Sequence, residues 1–272
     1  MTGQLGRAGA AIARANADGR AALVGYLPAG FPSYDGGVDA LKALVDGGVD
    51  VVEIGLPYSD PVMDGPTVQR ATEAALAGGL RTRDVLRTVE AVASYDEGVP
   101  VLVMTYWNPV ERYGVETFAR DLSRAGGAGL ITPDLIPDEG AEWLASADAN
   151  TLDKVFLVSP SSTDERIALT TGHCRGFVYA TAVMGVTGTR EQTSDLAPEL
   201  VRRTKAATDL PVGVGLGVSN ADQAAAVASY ADAVIVGSAL VQAVDGGPAA
   251  VAELTRALAE GVRRERRAAA TR

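Results

Sequence analysis

Three carboxylates fall in one short segment, Val52-Glu53-Ile54-Gly55-Leu56-Pro57-Tyr58-Ser59-Asp60-Pro61-Val62-Met63-Asp64-Gly65-Pro66. The apolar run Val49-Asp50-Val51-Val52 delivers Glu53 to its tip, and a Gly/Pro-rich loop then carries Asp60 and Asp64. An acid that ends a buried strand is partly stripped of water, which raises its pKa and suits it to proton transfer near neutral pH. A second acid in a loop has different surroundings, so the two can take separate acid and base roles. The competing reading is a helix-to-helix loop with solvated surface acids. It fits poorly, because the preceding run is too apolar and too β-branched for an exposed segment.

Other chemistries have few residues to work with. His173 is the only histidine, which excludes a His-rich metal site and any mechanism needing two imidazoles. It lies between Thr170-Thr171-Gly172 and Arg175-Gly176, a pattern that reads as a helix-to-strand loop holding a structural or solvated histidine. The lysines are Lys42, Lys154 and Lys205. Lys42 and Lys205 fall in helical patterns and Lys154 starts an apolar run, so none ends a strand and a Schiff base is disfavoured. No metal is expected. Cys174 stands alone, so no intrachain disulfide forms and a reducing compartment is natural.

A second kind of chemistry is readable near the end of the chain. Gly213-Val214-Gly215-Leu216-Gly217-Val218-Ser219 precedes a helical pattern opening at Asn220, and Val236-Gly237-Ser238-Ala239-Leu240 opens a short one. Glycine lets backbone N–H groups approach an anion closely, and a helix start adds its positive end. Gly217, Gly237 and the Ser238 hydroxyl would therefore grip a phosphate without a lysine or arginine. A dinucleotide fold would place such a motif after its first strand, with an acid about 20 residues on. The alternative, that Gly217 and Gly237 only make tight turns, is weakened by their occurrence at two consecutive strand ends.

The elements that must hold these residues recur regularly. Eight short apolar runs, 22–27, 49–54, 99–104, 129–131, 154–158, 176–179, 210–214 and 233–236, are separated by amphipathic stretches such as 67–77, 82–93, 115–125, 194–206 and 221–229. Continuous rather than alternating apolar character indicates parallel strands covered on both faces. Eight βα units without an internal linker predict an α/β fold, a single (β/α)8 TIM barrel over 1–272. A doubly wound sheet is the alternative. An extra N-terminal helix, roughly 5–17 within a segment 1–18, precedes the first strand and would cover the barrel bottom. In a barrel, function lies where strands end, and the carboxylates and glycine loops both fall there.

Composition agrees with this picture. The chain has 272 residues, 47% of them hydrophobic, which suits one large α/β domain or two small ones, either able to bury a sizeable core. A net charge of −10 argues against nucleic-acid binding. The basic cluster Arg263, Arg264, Arg266 and Arg267 reads as a solvated helix end that complements the helix dipole. No apolar stretch approaches the ~20 residues that cross a bilayer, and the N-terminus lacks a signal-peptide core; a cytoplasmic, non-membrane protein is expected.

Taken in order, the motifs resemble the tryptophan synthase alpha chain family over nearly the whole chain. They are Tyr26-Leu27-Pro28-Ala29-Gly30-Phe31-Pro32, Glu53-Ile54-Gly55 through Asp64-Gly65-Pro66, Asp134-Leu135-Ile136-Pro137, Gly185-Val186-Thr187-Gly188, Gly215-Leu216-Gly217-Val218-Ser219 and Val236-Gly237-Ser238-Ala239. The resemblance implies cleavage of indole-3-glycerol phosphate to indole and glyceraldehyde 3-phosphate without metal or organic cofactor. By its residues, Glu53 corresponds to the main acid/base, Asp64 to the acid facing the indole N–H, and Tyr179 to a hydroxyl at the sixth strand's end. Tyr26, Met104, Ile131 and Thr187 correspond to the indole pocket and its closing loop. Gly188, Gly217, Gly237 and Ser238 correspond to the phosphate grip. Asp60 and Pro61 resemble the surface that meets a pyridoxal-phosphate β chain in an αββα complex; as a plain turn residue Asp60 would merely be solvated. Two positions depart from the pattern. Met63 stands where a small residue is usual, and 180–184 read Ala-Thr-Ala-Val-Met where many relatives carry a serine. A stand-alone lyase releasing free indole, another phosphate-binding barrel isomerase or epimerase, and an idle barrel that only activates its β chain remain the alternatives.

Overall fold

The computed structural model describes residues 5–181 and 196–264. Its strands are β1 (Ala22–Pro28), β2 (Val51–Gly55), β3 (Val101–Met104), β4 (Gly129–Ile131), β5 (Asp153–Val155), β6 (Leu157–Val158), β7 (Val178–Thr181), β8 (Val212–Gly215) and β9 (Ala233–Val236). All ladders between them are parallel, in the order β5-β4-β3-β2-β1-β9-β8-β7-β6. The two ends of that order, β5 and β6, are separated along the chain by Phe156 alone. One broken strand therefore joins both edges, and the sheet closes into a (β/α)8 barrel rather than a doubly wound layer.

The fifth apolar run, expected as one strand, is divided because its neighbours change partway. Lys154 exchanges backbone hydrogen bonds with Arg175 in an isolated antiparallel bridge, while beyond Phe156 the chain pairs with β7. Strands β2, β3 and β8 begin later than their apolar runs. The Asp50 side chain accepts the Leu23 amide, and Pro100 and Pro211 have no N–H for a ladder, so these residues lead into strands rather than start them.

Twelve helices are described, α1 (Gly6–Ala17), α2 (Tyr34–Gly47), α3 (Pro66–Ala77), α4 (Thr82–Ala93), α5 (Trp107–Tyr113), α6 (Val115–Arg124), α7 (Ala141–Ala149), α8 (Asp164–His173), α9 (Leu196–Ala207), α10 (Ala221–Ala228), α11 (Ser238–Ala243) and α12 (Gly247–Arg263). Local chemistry sets several starts. Ser33, Thr163 and Asn220 cap α2, α8 and α10 through side-chain oxygens, and Pro66 opens α3. His173 closes α8 instead of lying in the loop beyond it, because Nδ1 sits 2.9 Å from the Leu169 carbonyl one turn back.

Side chains alternate across each strand, so one set fills the barrel and the other packs under the helices. Ala22, Val24, Val51, Leu102, Ile131, Val155, Phe177, Ala233 and Ile235 form the interior cluster together with Ala8, Ala11, Ile12 and Ala15 of α1. The polar partners of α1 lie at or just ahead of strand starts. The Ala8 amide bonds Asp153 at 2.8 Å, and Asn16 Nδ2 reaches Asp232 O at 2.9 Å. Arg7 reaches Gly126 O at 2.8 Å. α1 thus lies across the N-terminal mouth of the barrel and leaves the C-terminal mouth open for chemistry. Among the described residues no helix is long and apolar enough to cross a membrane.

Candidate active site

Glu53 shares a strand face with Val51 below it and Gly55 above it, so it points into the barrel from the middle of β2 rather than from its tip, because the ladder continues through Ile54 and Gly55. It is 1% exposed, and its Oε2 has no hydrogen-bond partner among the described residues. Burial pushes its pKa up to about 8, so the carboxyl keeps its proton at neutral pH. An acid in this state can deliver a proton near pH 7 and take one back.

Asp64 lies in the loop between β2 and α3 and is half-buried. Its Oδ1 accepts a 3.1 Å hydrogen bond from the Tyr106 hydroxyl, and its backbone carbonyl accepts one from Gln69 Nε2 at 2.8 Å. Burial raises the Asp64 pKa while the Tyr106 bond pulls against that rise. The two acids therefore differ as their sequence settings suggest, one with an Oε2 that lacks a partner among the described residues and one held by a hydroxyl. The sequence alone assigns Tyr106 no role. The contact spans loops far apart in the chain, and no local pattern announces it.

Tyrosines link the two acids. Tyr26 pairs in register with Glu53 across β1 and β2, which places the two side chains on the same face. Its pKa is raised well above the usual value, first by burial, then by the charges of Asp64 and Glu53, with Tyr106 and Tyr179 also acting on it. Tyr179, on the inward face of β7, is likewise raised by burial and by Glu53. Tyr26 thus feels each of the other four side chains in one mouth. Glycines make room for them: a Cβ on Gly55 would lie 2.3 Å from the Tyr26 hydroxyl, and one on Gly215 would lie 2.4 Å from the Tyr179 hydroxyl.

The remaining expected residues are distributed as follows. Met104 ends β3 and is half-buried, packed on the interior cluster together with Leu157 and Tyr179. Ile131 has no exposed surface and belongs to the packed layer beneath them. Leu157, which sequence reading did not single out, shares the inward face of Val155 and lies beside Tyr179 in register. Gly217 follows β8 in an exposed turn with φ +68, a left-handed conformation that glycine adopts without a Cβ clash. Gly237 follows β9, Ser238 opens α11, and a Cβ on Gly237 would lie 3.3 Å from Tyr26 Cδ1. Tyr26 therefore touches both the acidic side of the mouth and its glycine side. Thr187 and Gly188 lie outside the described residues.

Asp60 and Pro61 stand apart from the acids at the mouth. Asp60 is exposed and accepts a hydrogen bond from Ser59 Oγ. The neighbouring Val62 and Met63 are exposed apolar side chains, at 75% and 40%, as is Ile136 in the loop after β4. Outside the acidic site, a cavity of about 320 Å³ between this loop and helices α3 to α5 is lined by Pro57, Tyr58, Leu80, Val85, Asn108 and Tyr113. Among the described residues no group of three or more His, Cys, Asp or Glu side chains could hold a metal ion.

Comparison with known proteins adds a family match. Residues 12–270 match the family model described as the tryptophan synthase alpha chain. A relative named tryptophan synthase alpha chain from Acidothermus cellulolyticus is 62% identical over 260 residues, covering 94% of this chain and 97% of the relative. One of the same name from Mycobacterium intracellulare is 60% identical over 255 residues, covering 93% of each. Among solved structures, one of Mycobacterium tuberculosis tryptophan synthase superposes with a TM-score of 0.91 at 57% identity, covering 96% of this chain and all (100%) of that one. A tryptophan synthase alpha chain from Legionella pneumophila superposes with a TM-score of 0.84 at 31% identity, covering 94% of this chain and 97% of that one.

Proposed function

The chain belongs to the tryptophan synthase alpha chain family and is a carbon–carbon lyase acting on indole-3-glycerol phosphate in tryptophan biosynthesis, and we propose that Glu53 and Asp64 divide its acid/base work. The observation that carries the division is the buried Glu53 carboxyl. Its Oε2 has no hydrogen-bond partner among the described residues and its pKa is raised to about 8, while Tyr26 feels both it and a second acid, Asp64, whose carboxylate is hydrogen-bonded.

The reaction is a retro-aldol cleavage in which indole leaves. Glu53 gives its proton to ring carbon C3, which turns the ring into a cation. The Asp64 carboxylate accepts the ring N–H and stabilises that charge. Glu53, now a carboxylate, removes the proton from the hydroxyl on the carbon attached to C3. As the carbonyl forms, the C–C bond breaks, its electron pair returns to the ring, and glyceraldehyde 3-phosphate and indole separate. Glu53 ends protonated as it began. Each positioned transfer contributes ~10²–10⁴-fold. Tyr179, close enough to feel the Glu53 charge, orients the glycerol side of the substrate.

Tyr26 and Met104 form the indole wall, with Leu157 beside Tyr179 and Ile131 supporting them from below. Gly217, Gly237 and Ser238 bind the phosphate through backbone N–H groups and a hydroxyl, with Gly188 and Thr187 completing the site. Residues 1–272 act as one cytoplasmic barrel domain with α1 across its bottom. The family relation implies a β-chain partner. Asp60 and Pro61, with exposed Val62 and Met63, form the edge it meets in an αββα assembly with a pyridoxal-phosphate β chain.

The test is indole release by wild type and Glu53→Gln, each alone and mixed with a β chain. A loss of at least about 100-fold in the variant is expected. Equal rates would remove Glu53 from the mechanism, and wild-type turnover unchanged by the β chain would remove the partner edge.

A further inference from the structure

The Tyr106 hydroxyl uses all three of its hydrogen-bonding positions. It accepts from the Val62 amide at 3.2 Å and the Met63 amide at 2.9 Å, and it donates to Asp64 Oδ1 at 3.1 Å. A phenol oxygen has two lone pairs and one proton. Both lone pairs face loop amides, so the proton is left for Asp64. The ring is fixed as well. It is 6% exposed and tilts against Tyr58 with 5.4 Å between centroids. The next residue's amide, Trp107 N, is held by both oxygens of Asp134 at 2.9 and 3.1 Å. Loops two, three and four are thereby joined through two consecutive residues.

We propose that Tyr106 is a positioning residue: its hydroxyl fixes the Asp64 carboxylate as an acceptor and ties it to the backbone of the exposed Val62-Met63 edge. The proposal rests on the reading of Asp64 as the acceptor of the substrate N–H. The same oxygen meets both the docking edge and the acid, so a shift of Val62 or Met63 moves Asp64 with it. Electrostatics point the same way, since burial raises the Asp64 pKa and the Tyr106 bond opposes the rise. The ionisable groups facing Asp64 are Tyr106 and Tyr26, with Glu53 acting on the same Tyr26, and among the described residues no cation pairs with it.

The test is the pH profile of indole release by the full chain for wild type, Tyr106→Phe, Asp64→Asn and Tyr58→Phe, with a thermal melt of each. Phenylalanine keeps the ring and removes the donor. Losing a hydrogen bond to a charged group should lower kcat about 10- to 100-fold with KM little changed. It should also move the acidic limb of the kcat/KM profile upward by about one pH unit, while Tyr58→Phe leaves that limb in place. A Tyr106→Phe enzyme with the wild-type limb overturns the proposal, whether or not its melting temperature falls, because a purely structural role would not move the limb. Wild-type rates in Asp64→Asn overturn the reading of Asp64 and the proposal with it. An inactive Asp64→Asn beside an unaltered Tyr106→Phe overturns the proposal alone.

Discussion

Tyr26 and Glu53 are register partners on adjacent parallel strands, and the Tyr26 hydroxyl occupies the space that Gly55, two residues beyond Glu53, leaves by having no side chain. A strand pair thus sets a proton-bearing acid beside an aromatic wall, and one glycine makes the pairing possible.

The protonation of Glu53 should be visible in both rate and stability. With its pKa raised to about 8 by burial, Glu53 can act as an acid only below that pH, so kcat/KM should fall as pH rises through about 8. The stability sign follows from linkage. The folded chain keeps a proton that the unfolded chain releases near the ordinary 4.5, so this contribution is whole below that value and is lost as pH rises through about 8. Glutamine does not titrate. Thermal melts of Glu53→Gln and wild type should therefore diverge in favour of the variant between about pH 4.5 and pH 8. A constant difference across that range would show that the group is ionised in the folded chain.

Alanine at the glycines of the mouth should damage catalysis. A Cβ 2.3 Å from the Tyr26 hydroxyl at position 55, or 2.4 Å from the Tyr179 hydroxyl at position 215, forces a packed, half-buried ring to move. Gly55→Ala and Gly215→Ala should each lower kcat/KM by about tenfold or more, since small misplacements of positioned groups are costly. Gly172 in α8 is the control, with nothing within 4 Å of its Cβ position. Gly172→Ala should keep full activity and gain roughly 0.5–1 kcal/mol in urea unfolding. Full activity in both mouth variants would mean the tyrosines have room to shift.

The seat of α1 depends on Asp153. This side chain has no exposed surface, accepts the Ala8 amide at 2.8 Å, and has its pKa raised to about 6 by burial against the pull of that bond and of Arg175. Asp153→Ala strands the Ala8 amide and should cost about 1–3 kcal/mol, with faster hydrogen exchange confined to α1. Asp153→Asn keeps an acceptor oxygen and should cost less. Equal losses from the two variants would show that Asp153 serves by volume rather than as an acceptor.

The sequence alone determined the repeat of buried runs and helices, because parallel strands covered on both faces must be continuously apolar and helices must be amphipathic. It also marked the strands that carry Glu53 and Tyr179 and the turn after β9 that carries Gly237, since in this fold chemistry gathers toward the ends where strands stop. Closure of the sheet through the break at Phe156, the seating of Ala8 on Asp153, and the bonds from Tyr106 to Asp64 and the Val62-Met63 amides were decided only by the tertiary structure. Each joins residues distant along the chain. Periodicity and motif report what a segment does for itself, whereas the partner of a buried hydroxyl or carboxylate is set by which loops the closed barrel brings together.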